Sequence, residues 1–156
     1  MPTETEHKYL VKKELWKNIQ PEKSVEIKQG YLLSDPEKTI RVRTKNSKGF
    51  LTIKGKTNRS SRPEFEYEIP LKDAEELIGK FCSAVIEKTR HLVHYEGKLW
   101  EVDEFKGANN GLIVAEIELK EEDEKYALPE WVDKNVTEDP KYANSNLSVK
   151  PFSSWK

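Results

Sequence analysis

Cysteine is nearly absent from the sequence, and this scarcity limits the classes of protein to which the chain can belong. One cysteine, Cys82, in 156 residues excludes an internal disulfide framework and fits a reducing compartment, so we expect a cytoplasmic location. The first residues form no apolar h-region, and no segment approaches the ~18 consecutive apolar residues that a membrane helix needs. The seven glycines are scattered, which excludes a glycine-rich loop that binds phosphate through backbone amides.

Net charge is also small, because 27 basic residues against 28 acidic ones give −1. A global field that would attract nucleic acid or a membrane surface is therefore excluded. Charge density, in contrast, is high: charged residues make up 35% of the chain, as many as the hydrophobic ones. At this length we expect one domain, residues 1–156, in which a strong field arises only where the two signs separate locally.

Short alternating segments dominate the chain and predict strands. NSKG (46–49) and EGK (96–98) are turn signals, so the strands beside them should form antiparallel hairpins. Eight short strands in antiparallel order suggest a closed barrel or a sandwich, and closure would remove exposed edges. The predicted strands are 3–11, 25–33, 39–45, 50–56, 63–69, 84–94, 98–105 and 112–119.

Few segments have helical periodicity. Apolar residues recur at helical spacing in 71–81, after a proline at 70, and predict a helix. An acidic start predicts a second helix over 121–132, which Pro129 would break. After Pro140 we expect a loop or a short helix.

The segment ETEHK shows a charge pattern that later strands repeat. Glu4, Glu6 and Lys8 share one face of a strand at period two, while His7 and Tyr9 lie on the other. Later strands carry only cations on one face in RVR, LTIKGK and EKTR. Others carry only carboxylates in EFEYE, VDEF and AEIEL. The signs therefore separate strand by strand.

Two interpretations of these charged faces are open. The plainer one is a solvated sheet face, as in many antiparallel sheets. Against it, one like-charge pair on neighbouring strands costs about 3 kcal/mol at roughly 6 Å and an effective dielectric of ~20, before screening. Cationic rows are favourable if a polyanion lies among them, and carboxylate rows suit hard divalent cations. With these faces inward, the barrel would be a hydrated tunnel for a chain of phosphates with Mg²⁺ or Mn²⁺.

ETEHKYLV resembles the ExExK signature of the CYTH domains, also called triphosphate tunnel metalloenzymes. The resemblance covers nearly the whole chain, because KQGYLL, RVR, LTIKGK, EFEYEIP, EKTRHLV, WEVDEF and VAEIEL follow in the family's order. It implies a mainly β fold (α+β): an eight-stranded antiparallel closed β-barrel, the triphosphate tunnel, with a charged interior and a few flanking helices. It also implies dependence on Mg²⁺ or Mn²⁺.

The chain is most similar to the small bacterial-type inorganic triphosphatases, because of KQGYL and its compact length. This resemblance implies hydrolysis of a terminal phosphoanhydride, converting inorganic tripolyphosphate to pyrophosphate and phosphate. The partner would be a small-molecule triphosphate, with no nucleic acid and no membrane, and the protein would be a monomer or a homodimer.

The resemblance also implies roles for individual residues. Glu6, Tyr31 and Lys88 are the catalytic candidates. A carboxylate such as Glu6 or Glu66 would orient and deprotonate water, and Tyr31 near Lys88 would donate to the leaving group or position water. The implied metal ligands are Glu4, Glu6, Asp103, Glu116 and Glu118. The implied phosphate contacts are Lys8, Lys28, Arg41, Arg43, Lys54, Arg62, Lys88 and Arg90, and Lys150 resembles a late basic residue of the family.

Tyr31 and Lys28 present a conflict of direction. A regular strand places them on opposite faces, so both cannot enter a tunnel. A β-bulge at Gly30 could reorient one of them. From the sequence, Tyr31 is either a packed aromatic residue or a catalytic one.

Several functions share the predicted tunnel. An adenylate cyclase would direct the 3′-hydroxyl of ATP at the triphosphate, and a thiamine or nucleoside triphosphatase would bind an organic group as well. A non-enzymatic polyphosphate-binding module is a further alternative. The carboxylates Glu4, Glu6, Glu116 and Glu118 argue against that module, because anion binding alone does not need a carboxylate wall.

Overall fold

Nine strands form one antiparallel sheet in the computed structural model, which describes residues 3–82 and 84–155. The strands are β1 (Thr3–Val11), β2 (Lys23–Ser34), β3 (Lys38–Lys45), β4 (Lys48–Gly55), β5 (Ser61–Ile69), β6 (Val85–Tyr95), β7 (Lys98–Phe105), β8 (Ile113–Glu118) and β9 (Val132–Asn135). Their order is β5-β4-β3-β2-β6-β7-β8-β1-β9, and a further pairing of β5 with β1 closes eight strands into a barrel. The predicted fold class is confirmed, and each predicted strand end lies within two residues of the observed one.

Strand β1 closes the barrel because it has partners along both edges. On one edge, Glu6–Leu10 pair with β8. On the other, Thr3–Thr5 pair with Ser61–Pro63 of β5, and Tyr9 and Val11 pair with β9. The β5 contact is short, with three residue pairs. The four-residue strand β9 was not predicted, since VDKN has no apolar alternation.

Helix α2 (Leu71–Phe81) has the predicted bounds and covers the outside of β3 and β4. Its residues Ala74 and Ile78 are buried in a cluster with Val42 of β3. Gly49 of β4 allows this close approach, because a Cβ atom at that position would lie 2.7 Å from the Cβ of Ala74. The helix therefore covers the outer face of the strands whose inner face carries cations.

The predicted helix over 121–132 is wrong, because this segment has no helical structure. Its aromatic residues spread over the outside of β1, β7 and β8 instead. The Tyr126 hydroxyl lies 2.6 Å from His7 Nδ1 and 2.6 Å from the Tyr9 hydroxyl, and Trp131 packs against Trp100. Tyr126 and Trp131 would project from different sides of a helix, whereas an extended path lets both pack on the barrel.

The chain after Pro140 enters one end of the barrel, and we call residues 140–155 the C-terminal plug. It contains helix α3 (Asn144–Val149) between two short 3₁₀ turns. Leu147 of α3 is fully buried against inward residues of three strands, among them Ile86 and Phe105. A short additional helix, α1 (Lys13–Trp16), follows β1. No helix in the described ranges is long and apolar enough to cross a membrane.

Candidate active site

Beside the C-terminal plug, the barrel contains a cavity of about 210 Å³ whose walls are almost entirely charged. Glu4, Glu6, Lys8 and Arg62 also line a vestibule of about 510 Å³, so the cavity opens into it. The charged faces therefore point inward. The charged residues that line the cavity are the cations Lys8, Arg41, Arg43, Lys45, Lys54, Arg62, Lys88 and Arg90 and the carboxylates Glu4, Glu6, Glu64, Glu66, Glu101, Glu116 and Glu118.

Glu4 and Glu6 lie on the same face of β1 but have different electrostatic surroundings. The Glu4 carboxylate accepts hydrogen bonds from Lys54 Nζ at 3.0 Å and from Arg62 Nε at 3.4 Å. Burial raises the pKa of Glu4, but Lys54 and Arg62 outweigh it and lower this pKa to about 2. Burial, together with the charges of Glu116 and Glu4, raises the pKa of Glu6 to about 7. Glu4 is therefore ionised near neutral pH, whereas Glu6 exchanges a proton there.

Glu6 and Glu118 form a carboxylate pair, because they are direct partners in the pairing of β1 with β8. Burial and the nearby Glu4 and Glu101 raise the pKa of Glu118 as well. Glu116, the next inward residue of β8, is paired with Lys8 at 3.6 Å between Lys8 Nζ and Glu116 Oε2. Burial and the surrounding carboxylates therefore disfavour the ionised form of both Glu6 and Glu118.

A row across β3, β4 and β5 forms the opposite wall. Arg41 Nη2 donates to Thr52 Oγ1 at 3.2 Å, and Thr52 Oγ1 donates to Glu66 Oε2 at 2.9 Å. Arg43 Nη2 donates to the same Glu66 oxygen at 3.3 Å. Burial, with Arg41 and Arg90 nearby, lowers the pKa of Arg43 to about 10. Two buried guanidinium groups therefore share one half-buried carboxylate.

Asp103, a predicted metal ligand, is buried behind the cavity and does not line it with the other predicted ligands. Arg90 donates to both of its oxygens, at 2.8 Å from Nε and 2.9 Å from Nη2, and Lys88 Nζ lies 2.8 Å from Oδ2. These cations hold the pKa of Asp103 well below its usual range, against the effect of burial. Burial lowers the pKa of Lys88 to about 8, against the effect of Asp103. Asp103 fixes two cations and is not a cavity-lining ligand.

The structure resolves the conflict between Lys28 and Tyr31. The pairing of β2 with β3 is regular from Ile27 to Tyr31, so Gly30 has no bulge, and the register shifts only after Tyr31. Tyr31 lines the cavity, whereas Lys28 is exposed on the outer face. Lys28 is therefore wrong as a phosphate contact. Close packing explains the glycine at position 30 instead, since a Cβ atom there would lie 2.6 Å from the Cβ of Cys82.

Three polar residues of the site were not predicted from the sequence. Thr52 lies in the same strand face as Lys54 and could have been found by that alternation. Gln29 is fully buried two residues before Tyr31, on the same face. Asn144 of the C-terminal plug lines the cavity, and its Oδ1 accepts a hydrogen bond from Lys88 Nζ at 3.2 Å. Lys150, which resembled a late basic residue of the family, is exposed and does not line the cavity.

The comparisons with known proteins agree with this architecture. The CYTH domain model matches residues 2–149. The chain belongs to the CYTH domain family. Among curated CYTH relatives, the chain is 45% identical to an inorganic triphosphatase of Acetivibrio thermocellus over 100% of this chain and 99% of that protein. It is 32% identical to an inorganic triphosphatase of Nitrosomonas europaea over 81% of this chain and 85% of that protein.

A solved structure has a similar fold over nearly the whole chain. The crystal structure of the inorganic triphosphatase NE1496 is 30% identical and aligns with a TM-score of 0.66. The alignment covers 96% of this chain and 96% of that one. The similarity of fold therefore covers the barrel.

CYTH tunnel enzymes depend on a metal ion, and the carboxylates of this cavity have suitable donor chemistry. Carboxylate oxygens are the ligands that hard divalent cations prefer. Burial and neighbouring carboxylates raise the pKa values of Glu6 and Glu118, and a bound cation would favour the ionised form of both. In the described part of the chain, no three acidic, histidine or cysteine side chains lie close enough together to bind a metal ion as they stand. Before they could bind a metal ion, Glu4 would have to break its ion pair with Lys54, and Glu116 would have to break its ion pair with Lys8.

Proposed function

We propose that this CYTH protein is a divalent-metal-dependent triphosphatase that hydrolyses the terminal phosphoanhydride of inorganic tripolyphosphate, releasing pyrophosphate and phosphate. The two curated relatives, both named inorganic triphosphatase, support this activity and this substrate. The cavity supports a substrate without a large organic group, because its lining is almost wholly charged and Leu147 closes one end of the barrel.

The observation that carries the proposal is a pair of buried arginines, Arg41 and Arg43, which share the half-buried carboxylate of Glu66 and each keep one guanidinium donor without an acceptor in the described part of the chain. Within residues 3–82 and 84–155, the Nε atoms of Arg41 and Arg43 have no hydrogen-bond partner. Leaving a buried charged donor unpaired costs about 1–3 kcal/mol or more. Phosphate oxygens are strong acceptors for guanidinium groups. A bound triphosphate would therefore satisfy donors that the protein leaves free.

The remaining cations would bind the substrate by exchanging partners. Lys54 and Arg62 now contact Glu4, and Lys8 contacts Glu116, all within the cavity lining. Phosphate oxygens would replace these carboxylates, and the freed carboxylates would then face the cavity. Arg90 differs, because Asp103 fixes its position before substrate arrives. Preorganised cations of this kind stabilise charge that develops on phosphate oxygens.

Proton transfer would use groups whose pKa values lie near neutrality. Glu6 lines the cavity and would orient the attacking water and accept its proton. Lys88, whose pKa burial lowers to about 8, lines the cavity together with Tyr31. Lys88 and Tyr31 would donate to the leaving phosphate oxygen or position water. Glu66 is the alternative carboxylate for orienting water, because it also lines the cavity.

We assign the metal site to Glu4, Glu6, Glu116 and Glu118, with Mg²⁺ or Mn²⁺ as the ion. A bound divalent cation would neutralise charge on the phosphate oxygens. The carboxylates position the ion on one wall, opposite the arginines of β3. In this proposal, the substrate would lie between a wall of metal ligands and a wall of cations.

The remaining assignments are also proposals. We propose that residues 1–156 are one domain, a monomer or homodimer whose partner is a small-molecule triphosphate and neither nucleic acid nor membrane. The near-zero net charge supports the last point. A single cysteine supports a cytoplasmic location.

The activity is tested by phosphate release from tripolyphosphate, ATP and thiamine triphosphate, each with Mg²⁺, with Mn²⁺ and with a chelator. We expect tripolyphosphate with a divalent cation to give the highest kcat/KM.

Glu6→Gln should lower kcat by about 10²–10⁴-fold, since it removes a general base and a metal ligand, while Tm stays close to that of the wild type. Faster turnover of a substrate with an organic group would contradict the proposed substrate. Phosphate binding without metal-dependent release would instead favour a polyphosphate-binding module, and cyclic AMP formation from ATP would favour a cyclase.

A further inference from the structure

Gln29 is a polar side chain that is 0% exposed on the inner face of β2, and neither phosphate nor metal binding accounts for it. Val25 and Ile27 precede it on the same face and are buried as apolar residues. Packing alone would therefore favour another apolar residue at this position. Buried amides are retained where their hydrogen bonds are used.

One end of the Gln29 amide contacts Tyr31. Gln29 Nε2 donates to the Tyr31 hydroxyl oxygen at 3.1 Å. A tyrosine hydroxyl has one O–H donor besides its acceptor lone pairs. Because Gln29 donates to that oxygen, the Tyr31 O–H cannot donate to Nε2 and is free to donate elsewhere. Tyr31 lines the cavity, where a phosphate oxygen or an attacking water would be the acceptor.

At the other end of the amide, the cross-strand neighbour Arg43 favours one orientation through its positive charge, without a hydrogen bond to Gln29. In the described residues, Oε1 of Gln29 and Nε of Arg43 both lack hydrogen-bond partners. Gln29 and Arg43 are direct partners in the pairing of β2 with β3, so their Cβ atoms are ~5 Å apart on one face. A guanidinium group has only donors, so the amide atom that suits Arg43 is the oxygen. The reverse orientation would turn the Gln29 NH₂ group towards a cation.

We propose that Gln29 is a positioning residue that directs the Tyr31 O–H into the cavity. Arg43 selects the orientation of the Gln29 amide, and the amide NH₂ then selects the direction of the Tyr31 hydrogen bond. The inference rests on the proposed function, in which Tyr31 donates to the leaving group or positions water. It adds a reason why this tyrosine acts as a donor to the substrate and not as an acceptor.

Two substitutions separate hydrogen-bond direction from packing. Gln29→Met keeps the size of the side chain and removes both hydrogen bonds. Gln29→Glu introduces a carboxylate next to Arg43. This carboxylate would accept a hydrogen bond from the Tyr31 O–H, so the direction of the hydrogen bond between residues 29 and 31 would be reversed. We expect each to lower kcat for tripolyphosphate about tenfold, the effect of roughly 1.4 kcal/mol on the barrier, with KM changed less than about threefold. In a Tyr31→Phe background, neither substitution should lower kcat further, because coupled residues are non-additive.

Ile86→Val is the matched control, because Ile86 is the other direct neighbour of Gln29, in β6, and packs in the apolar cluster beside Tyr31. It should lower Tm through lost packing but leave kcat within about twofold. Full activity of Gln29→Glu, or equal effects of Gln29→Met with and without Tyr31, would overturn the proposal. Full turnover by Tyr31→Phe would also overturn it while leaving the triphosphatase activity standing. Absence of metal-dependent phosphate release from the wild type would contradict the proposed function itself.

Discussion

Lys54 and Lys28 illustrate at the scale of single residues how strand direction decides function. Both are lysines in strands of the barrel wall. Lys54 is 8% exposed and contacts Glu4 at 3.0 Å inside the cavity, whereas Lys28 is exposed outside. The two lysines contribute the same positive charge, but only the charge of Lys54 lies where a substrate in the cavity could contact it.

We expect Lys54→Met to raise the KM for tripolyphosphate or to lower kcat/KM at least tenfold, because it removes a buried phosphate contact. Lys28→Met changes the same charge on the outer face and should leave kcat/KM within about twofold, as is usual for surface substitutions. Steady-state phosphate release at fixed Mg²⁺ and salt measures both. An equal loss in the two variants would mean that overall charge, and not cavity contact, attracts the substrate.

Alternation along strands predicted which charged side chains face inward, and this is why most site residues were found from the sequence. It could not predict which inward residues pair with each other. Asp103 has the parity of a cavity residue, yet Arg90 and Lys88 occupy both of its oxygens. Gln29 was overlooked because an uncharged residue carries no signal in a charge pattern. Asn144 was overlooked because its place depends on how the tail folds back.

At the scale of secondary-structure elements, the strands and α2 were predictable because their periodicity is local. The segment 121–132 was not predictable, because its aromatic residues pack on β1, which is distant in the sequence, as well as on β7 and β8. The C-terminal plug is a similar case. Its short helix α3 gains its stability from burial of Leu147 in the barrel, a contact that helix propensity cannot reveal.

Leu147→Ala should lower the free energy of unfolding by about 2–5 kcal/mol, because Leu147 is fully buried and leaves a cavity when truncated. Val149→Ala in the same helix is the control: Val149 is 72% exposed, and its substitution should cost less than about 0.5 kcal/mol. Urea denaturation followed by tryptophan fluorescence measures both. A loss below about 1 kcal/mol for Leu147→Ala would show that the C-terminal plug is not packed into the barrel.

At the scale of the whole molecule, the separated charges link metal binding to pH. The pKa of Glu6 is raised from an ordinary value of 4.5 to about 7. Protonated Glu6 therefore stabilises the metal-free protein fully below pH 4.5, and this contribution is lost as the pH rises through about 7. A divalent cation has the opposite dependence, because it binds the ionised carboxylate and must displace the proton.

We therefore expect the increase in Tm caused by Mg²⁺, measured without substrate, to grow between pH 6 and pH 8. Apparent affinity should rise by up to about tenfold per pH unit below pH 7. In Glu6→Gln, the increase in Tm caused by Mg²⁺ should be small and nearly independent of pH. A wild-type Mg²⁺ effect that is the same at pH 6 and pH 8 would mean that Glu6 is not a ligand.

The position of β1 also has a consequence for how the chain acquires its fold during synthesis. This strand carries Glu4 and Glu6, yet its partners are β5, β8 and β9, of which β8 comprises residues 113–118. Strand β1 leaves the ribosome before β8 and must therefore wait for this partner until residues 113–118 have been translated. Contacts of such long sequence separation slow folding. The wall that carries Glu4, Glu6, Glu116 and Glu118 should thus be among the last parts to form, and, if it is the proposed metal site, a nascent chain should gain affinity for Mg²⁺ only after β8 has emerged.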